Sequence, residues 1–178
     1  MNDIAIRRIY LAGPEVFRLD VQDHFDTMKR FMAQHGLLGL SPFDGAANSQ
    51  AQSGTPADIA KQIYQANCAL IRSCDAVLAN MTPFRGPSMD VGTAYEIGYA
   101  DALRLPVFAY SNDRTTYASR VPQPAQNGLD ADGWTIEDFG LTDNLMMIGA
   151  AGLAPARPIY PTWQDAVRAV AGWTRTNR

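Results

Sequence analysis

Short apolar runs alternate along the chain with longer segments in which apolar residues recur at helical spacing. Four of the runs are typical of buried strands, and they span Ile9–Ala12, Leu37–Leu40, Ala76–Met81 and Pro106–Tyr110. Runs of this length, separated by stretches long enough for helices, indicate an α/β protein whose strands are parallel.

The segments around these runs predict four helices. They extend from Val21 to His35, Pro56 to Arg72, Asp90 to Arg104 and Pro161 to Trp173. Each strand–helix–strand unit is expected to form a right-handed crossover, and such units in series build a doubly wound sheet. We therefore predict one domain over residues 1–178 with a flavodoxin- or Rossmann-like fold. Its parallel sheet has about five strands and carries helices on both faces, which makes a three-layer sandwich.

The carboxyl ends of the strands are where such a sheet binds ligands. That rule selects Gly13–Phe17, Ser41–Asp44, Thr82–Asp90 and the chain from Ser111 onward. The last of these, up to Asn144, is longer than an ordinary connection and rich in turn-forming residues. Loops of this length in compact domains are usually functional or disordered.

The composition argues against several kinds of site. The 178 residues suit one domain, and the net charge of −3 argues against a nucleic-acid-binding surface, so we expect a small-molecule partner. Two cysteines and two histidines offer neither a disulfide framework nor the residues of a zinc site or a Ser-His-Asp triad. Carboxylates alone could still hold magnesium, but we expect no metal and no cofactor.

No apolar stretch is long enough to span a bilayer, and the first eight residues lack the apolar core of a signal peptide. We therefore expect a cytoplasmic protein without a membrane partner.

The segment after the third predicted strand contains two acids that suit chemistry. It turns through Gly86 and Pro87 and enters the third predicted helix at Asp90. On a helical wheel Glu96 lies about 120° from Asp90, at the edge of the apolar side. A carboxylate there is partly desolvated or faces a cleft, although an ordinary surface glutamate fits the same pattern. Asp90 has an equally ordinary interpretation as a helix N-cap.

Two carboxylates near one cleft suit reactions at an anomeric carbon. One of them acts as a nucleophile or stabilises the charge on the sugar, while the leaving group needs a proton. A nucleoside meets this description, because its base leaves as an anion unless it is protonated.

The first strand ends in Tyr10-Leu11-Ala12-Gly13-Pro14-Glu15-Val16-Phe17, which matches neither a Walker loop nor a Gly-x-Gly-x-x-Gly fingerprint. A triphosphate or dinucleotide cradle is therefore not indicated. Gly13 permits a close approach of the backbone to a ligand, and Phe17 could stack on a base. Phe17 and Tyr10 fit plain core positions as well.

Four segments taken together resemble the nucleoside 2-deoxyribosyltransferase family. They are Tyr10–Pro14, Ser41–Asp44, Asn80–Gly86 and Asp90–Ala100, and they occur in order within residues 7–148. The resemblance implies a ping-pong exchange of a deoxyribosyl group between bases, without a cofactor, through a covalent intermediate on a glutamate.

The resemblance also assigns roles to individual residues. Glu96 matches the nucleophile, Tyr10 the tyrosine that holds it in position, and Asp90 the acid that binds the sugar hydroxyls. Asn144 and Met146 match a segment that a neighbouring subunit inserts to close the site, which implies a homo-oligomer.

One position departs from the family pattern. Asn67 stands where the best-known members carry an aspartate that passes a proton to the base, so we expect protonation through water, through Asp44 or through another acid. Asn67, Asp44, Gly13, Phe17 and Arg85 lie in or near the matching segments, and we count them as substrate-binding residues.

Two rival functions stay open. The same nucleophile could pass the sugar to water, as in a deoxynucleoside or deoxynucleotide N-glycosidase. Glu15 in the first loop would repel a 5′-phosphate, which favours free deoxynucleosides and nucleobases as the partners. A non-catalytic nucleotide sensor on a flavodoxin-like sheet would use the same crevice without needing an acid at position 96.

Overall fold

The computed structural model describes residues 7–45, 53–122, 128–152 and 158–176. Within these ranges the strands are β1 (Arg8–Ala12), β2 (Leu38–Leu40), β3 (Ala76–Asn80) and β4 (Val107–Tyr110). The α-helices are α1 (Val21–Gln34), α2 (Pro56–Arg72), α3 (Val91–Ala102), α4 (Tyr117–Arg120), α5 (Leu145–Gly152) and α6 (Trp163–Thr176). Short 3₁₀ helices follow β1 at Pro14–Phe17 and β2 at Pro42–Asp44.

All the strands are parallel, and their order across the sheet is β2-β1-β3-β4. Tyr10 of β1 is in register with Leu40 of β2 and with Val77 of β3, so the carboxyl ends of these strands lie at one edge. The chain proceeds outward from β1 to β2 on one side and to β3 and β4 on the other. The predicted doubly wound α/β fold is confirmed, and its switch point, where such sheets bind ligands, lies between β1 and β3.

The described sheet has four strands where the sequence predicted about five. Beyond β4, Tyr160 forms an isolated parallel bridge with Tyr110. Its N–H donates to the Ala109 carbonyl at 2.9 Å, and its carbonyl accepts from the N–H of Ser111 at 2.9 Å. Two residues earlier, Pro158 has no N–H to continue such a ladder, which limits the pairing at this edge.

The sheet separates two hydrophobic cores, because successive side chains of a strand point to opposite faces. Ile9 and Leu11 of β1 lie in the core formed with α1 and α6, whereas Tyr10 and Ala12 lie in the core formed with α2, α3 and α5. Helices therefore cover both faces, as the three-layer prediction requires. The consequence for the site is that Tyr10 points towards α3, the helix that carries Glu96.

Two helices lie where the sequence predicted no helix. Helix α4 lies within the long segment after β4, and α5 follows directly after Asn144. The sequence of α5, Leu-Met-Met-Ile-Gly-Ala-Ala-Gly, has no polar face and therefore gives no amphipathic signal. Ile148 and Ala151 pack into the second core, so tertiary burial stabilises this helix.

Two observations concern the described residues alone. None of their helices combines the length and the hydropathy that crossing a membrane requires. Nor do their His, Cys, Asp and Glu side chains form a group of three or more that could hold a metal ion.

Candidate active site

A cavity of about 380 Å³ lies at the carboxyl edge of the sheet, a volume typical of small-molecule sites. Its walls come from the segments after β1 and β2, from α2 and from the start of α3. The lining residues are Gly13, Val16, Phe17, Pro42, Phe43, Ile63, Asn67, Asp90, Gly92 and Glu96. Half of them are residues that the sequence predicted for the site.

Glu96 lies on the second turn of α3, and Tyr10 holds its carboxylate. The O–H of Tyr10 donates to Oε1 of Glu96 at 2.5 Å, and the Tyr10 side chain is fully buried in β1. The two residues that the family resemblance pairs are therefore in contact. Because Tyr10 lies behind the cavity wall, its hydroxyl acts on a ligand through Glu96.

The environment of Glu96 brings the pKa of its carboxyl group close to neutral pH. Burial is the largest influence, and it raises the pKa of Glu96 from 4.5 to about 7. The hydrogen bond from Tyr10 opposes this rise in pKa, whereas the negative charge of Asp90 adds to it. Burial, and then the charge and hydrogen bond of Glu96, raise the pKa of Tyr10, so that Tyr10 stays a donor. An ionised fraction of Glu96 is available as a nucleophile at neutral pH.

Asp90 caps α3 and lines the cavity at the same time. Its Oδ2 accepts hydrogen bonds from the N–H of Thr93 at 2.9 Å and from Oγ1 of Thr93 at 3.1 Å. This is the N-cap interpretation of Asp90. Within the described chain no hydrogen bond engages Oδ1, so the capping role leaves that oxygen for a ligand. A Cβ at position 92 would lie 3.0 Å from Oδ2 of Asp90, so the glycine there leaves room for this carboxylate.

Glu15 shapes the loop after β1, a role that the sequence did not predict. Its Oε1 accepts from Nδ2 of Asn80 at 2.6 Å and from the O–H of Tyr110 at 2.8 Å, which ties the loop to the ends of β3 and β4. A Cβ on Gly13 would lie 1.9 Å from Oε2 of Glu15, so the loop folds around this carboxylate because residue 13 is glycine. Glu15 is buried and does not line the cavity. Glu15 therefore does not face a ligand in the cavity, as the expected repulsion of a 5′-phosphate assumed.

An aromatic and cationic rim borders the cavity. Phe17 lines the cavity and stacks on Phe84 with 5.5 Å between ring centroids. The Arg85 guanidinium lies over both rings, 4.8 Å from the centroid of Phe17 and 4.6 Å from that of Phe84, at distances typical of cation–π contacts. Phe17 is 54% exposed, so it is not a core residue. Arg85 contacts the cavity wall from outside and does not line the cavity itself.

Asn67 faces the cavity from α2 and leaves a polar atom unpaired. Its Oδ1 is buried and has no hydrogen-bond partner among the described residues. An unpaired buried acceptor costs about 1–3 kcal/mol, and folded proteins seldom leave one without a reason.

Asp44 lies outside the cavity. Its carboxylate accepts from the N–H of Ser41 at 2.7 Å and pairs with Nζ of Lys29 at 2.6 Å. Partial burial alone would raise the pKa of Asp44, but the hydrogen bonds from Lys29 and Ser41 outweigh it and lower the pKa. Asp44 is therefore ionised at neutral pH, and the geometry does not support it as the acid that protonates a base.

Asn144 and Met146 also lie away from the cavity of their own chain. Nδ2 of Asn144 donates to Oε2 of Glu137 at 2.8 Å, and its Oδ1 accepts from the N–H of Met146 at 3.0 Å. Asn144 thus begins α5, while the Met146 side chain is 65% exposed. Neither residue lines the cavity within one chain.

The sequence did not predict that a buried aspartate, Asp143, would hold the turn before Asp90. Asp143 is 1% exposed and accepts hydrogen bonds from the hydroxyl of Ser88 and from the N–H of Met89, the latter at 3.0 Å. The guanidinium of Arg120 lies 3.9 Å from the same carboxylate. These contacts fix the turn before Asp90 to the start of α5. The sequence shows only an aspartate in a polar loop, because its partners lie 55 and 54 residues away.

The chain is similar to several known proteins. The family model described as nucleoside 2-deoxyribosyltransferase matches residues 9–146. The uncharacterized protein C191.05c of Schizosaccharomyces pombe is 30% identical over 159 residues, which are 79% of this chain and 75% of that protein. A 2-desoxiribosyltransferase from Leishmania mexicana is similar in structure with a TM-score of 0.71 at 27% identity, covering 93% of this chain and 97% of that one. A conserved protein from Enterococcus faecalis shares the fold with a TM-score of 0.60 at 21% identity, covering 95% of this chain and 99% of that one.

Proposed function

Because the chain belongs to the nucleoside 2-deoxyribosyltransferase family, we propose that it transfers a 2-deoxyribosyl group between nucleobases through a covalent intermediate on Glu96. The observation that carries the proposal is the Glu96 carboxylate in the cavity, held by Tyr10 at 2.5 Å and accompanied by Asp90. The substrates are deoxynucleosides and free bases, purine, pyrimidine or both.

In the first half-reaction, ionised Glu96 attacks C1′ of the deoxynucleoside. A C1′–O bond forms as the C1′–N bond breaks, and the base leaves with the electron pair of that bond. The carboxylates of Glu96 and Asp90 stabilise the positive charge that develops on the sugar. The hydrogen bond from Tyr10 orients the nucleophile, and because it lowers the pKa of Glu96 it keeps a larger fraction ionised.

In the second half-reaction, a different base attacks the same carbon and releases the Glu96 carboxylate. The departing base takes up a proton and the incoming base gives one up, so the exchange is balanced in protons. Asn67 cannot supply the proton, since a carboxamide does not ionise near neutral pH. In this proposal water that enters the cavity with the substrate carries the proton.

A hydrolase is the second candidate, and the rim of the cavity favours one form of it. If water attacks the glycosyl-enzyme, the product is free deoxyribose or its 5′-phosphate. Glu15 is turned into the protein, and Arg85 makes no ion pair among the described residues. A 5′-phosphate at this rim would meet a positive charge, which supports a deoxynucleotide N-glycosidase over one that acts on free nucleosides.

The proposal includes a homo-oligomer in which Asn144 and Met146 of one subunit close the cavity of another. The support for this proposal is the exposed apolar surface between residues 134 and 146. Trp134 is 73% exposed, Phe139 is 68% exposed and Met146 is 65% exposed. A neighbouring subunit that covered these apolar side chains would remove their surface from water.

Incubation of the protein with a deoxynucleoside and a different free base tests the function. Chromatographic detection of the exchanged nucleoside supports the transferase, and free sugar alone supports the hydrolase. Binding without either product refutes both and identifies a non-catalytic nucleotide sensor.

Substitution of the nucleophile sharpens the same assay. We expect Glu96→Ala to abolish exchange while the circular-dichroism spectrum stays that of the wild type. Asp101→Ala is the matched control, because Asp101 is exposed on the same helix and does not line the cavity. Near-normal exchange by Glu96→Ala would refute the assignment.

A further inference from the structure

The turn before Asp90 is attached to a buried carboxylate. Asp143 accepts a hydrogen bond from the hydroxyl of Ser88 and another, at 3.0 Å, from the N–H of Met89. Asp143 is buried, so water does not compete for these bonds. Hydrogen bonds to a charged group away from water are among the stronger ones in proteins. The backbone immediately before Asp90 is therefore held in place.

Arg120 connects the same turn to two other segments. Its Nε donates to the carbonyl of Pro87 at 2.8 Å, and its Nη1 donates to the carbonyl of Thr115 at 2.6 Å. Nη2 donates to the carbonyl of Thr142 and lies 3.9 Å from the carboxylate of Asp143. A guanidinium carries five N–H donors in a fixed planar arrangement. One side chain thus fixes three segments of the chain relative to one another.

Asp90 is held from both sides along the chain. On the helix side, Oδ2 accepts from the N–H and the hydroxyl of Thr93, which fixes Asp90 relative to α3. On the loop side, the contacts of Asp143 and Arg120 fix it relative to the rest of the domain. A carboxylate that acts on a ligand needs such support, because a displacement of about 1 Å can lower a rate about 100-fold.

We propose that Asp143 and Arg120 are positioning residues, which act on the reaction by holding the Asp90 carboxylate next to the sugar of the substrate. The inference rests on the proposed function, in which the charge of Asp90 stabilises the positive charge on the sugar. Neither Asp143 nor Arg120 lines the cavity, so both act through the turn that they hold. The alternative is that these two residues stabilise the fold and have no influence on the reaction.

Asp143→Asn tests this role with almost no change in size. A carboxamide has one oxygen, so it cannot accept from both Ser88 and Met89 as the two carboxylate oxygens do. We expect the substitution to lower kcat/KM for exchange about ten-fold. Asp113→Asn is the matched control and should keep the wild-type value. It removes a charge 4.0 Å from the same guanidinium, but the hydrogen bonds of Asp113 lie within residues 111–115.

A second background shows whether the effect passes through Asp90. Serine is as good an N-cap as aspartate, so Asp90→Ser keeps α3 capped but offers no carboxylate to the sugar. In that background we expect Asp143→Asn to lower kcat/KM less than about two-fold, because residues that act through one group are not additive. An effect on folding alone would give the same fold-loss in both backgrounds.

Ser88 provides a second pair of variants in case Asp143→Asn does not fold. Ser88→Ala removes one of the two hydrogen bonds from the turn to Asp143 and should lower kcat/KM about three-fold, provided that Asp90 is present. Ser88→Thr keeps a hydroxyl at this position and should restore kcat/KM to near the wild-type value.

Crystal structures of the wild type and of Asp143→Asn, or of Ser88→Ala in its place, give a readout that does not depend on turnover. We expect the Asp90 carboxylate of the variant to be displaced by about 1 Å or more. An unmoved Asp90, an unchanged kcat/KM, or an equal loss in the Asp90→Ser background would overturn the inference. A wild type that catalyses neither exchange nor hydrolysis, together with a displaced Asp90 in the variant, would refute the proposed function and support the hold on Asp90.

Discussion

The buried carboxyl of Glu96 should make the stability of the protein depend on pH in a definite direction. Its pKa is about 7 in the folded chain and 4.5 in an ordinary glutamate, mainly because burial disfavours the charged form. Between these values the folded chain holds a proton that the unfolded chain has lost. The free energy of unfolding therefore falls as the pH rises from about 4.5 to about 7, and the fall is complete above about 7. At about 1.4 kcal/mol per pKa unit, the loss is about 3 kcal/mol.

Glu96→Gln should remove this dependence, because glutamine has nearly the same size and cannot ionise. In urea unfolding at about pH 8 we expect the variant to be about 3 kcal/mol more stable than the wild type, and at about pH 4 the two should be nearly equal. Asp101→Asn removes a charge from an exposed position of α3 and controls for net charge. A wild type as stable as Glu96→Gln at about pH 8 would refute the description of Glu96 as a desolvated acid.

Three other predictions follow from the contacts of the site. Tyr10→Phe removes the hydrogen bond that lowers the pKa of Glu96. The acid limb of the pH profile of kcat/KM, which we expect near pH 7, should therefore move to higher pH. An acid limb that does not move would show that Tyr10 does not influence the ionisation of Glu96. Gly13→Ala should cost about 2–4 kcal/mol in urea unfolding, because its Cβ displaces Glu15 from two hydrogen bonds. Gly86→Ala, whose Cβ would meet nothing within 4 Å, should be close to neutral, and equal losses in the two variants would count against this role of Glu15. Mixing inactive Glu96→Ala and Asn144→Ala proteins should restore some exchange if subunits share sites, and a mixture as inactive as its parts would exclude sharing.

The fold was predictable because its signals are local. Helix α2 has the predicted bounds, Pro56–Arg72, and Thr55 and Asp58 form a reciprocal capping box at its start. The position of Glu96 on α3 followed from helical spacing alone. Helix α5 was missed, since a segment without a polar face gives no periodic signal.

The interior of the site was less predictable, because its contacts join distant residues. Glu15 was treated as a charge facing the ligand, but its partners lie 65 and 95 residues away along the chain. Asp44 was expected at the substrate, but a hydrogen bond with Ser41, three residues before it, and a salt bridge with Lys29 take up its carboxylate. A sequence pattern shows which residues can carry charge, whereas the fold decides where each charge points.

The proposed mechanism requires that Glu96 form a covalent bond to the sugar. Rapid quenching of the protein with a deoxynucleoside and no acceptor base, followed by digestion and mass spectrometry, detects such a bond. We expect one deoxyribosyl group on the peptide that contains Glu96 and none in the Glu96→Gln variant. A deoxyribosyl group on another residue, or full exchange activity with no adduct on Glu96, would contradict it.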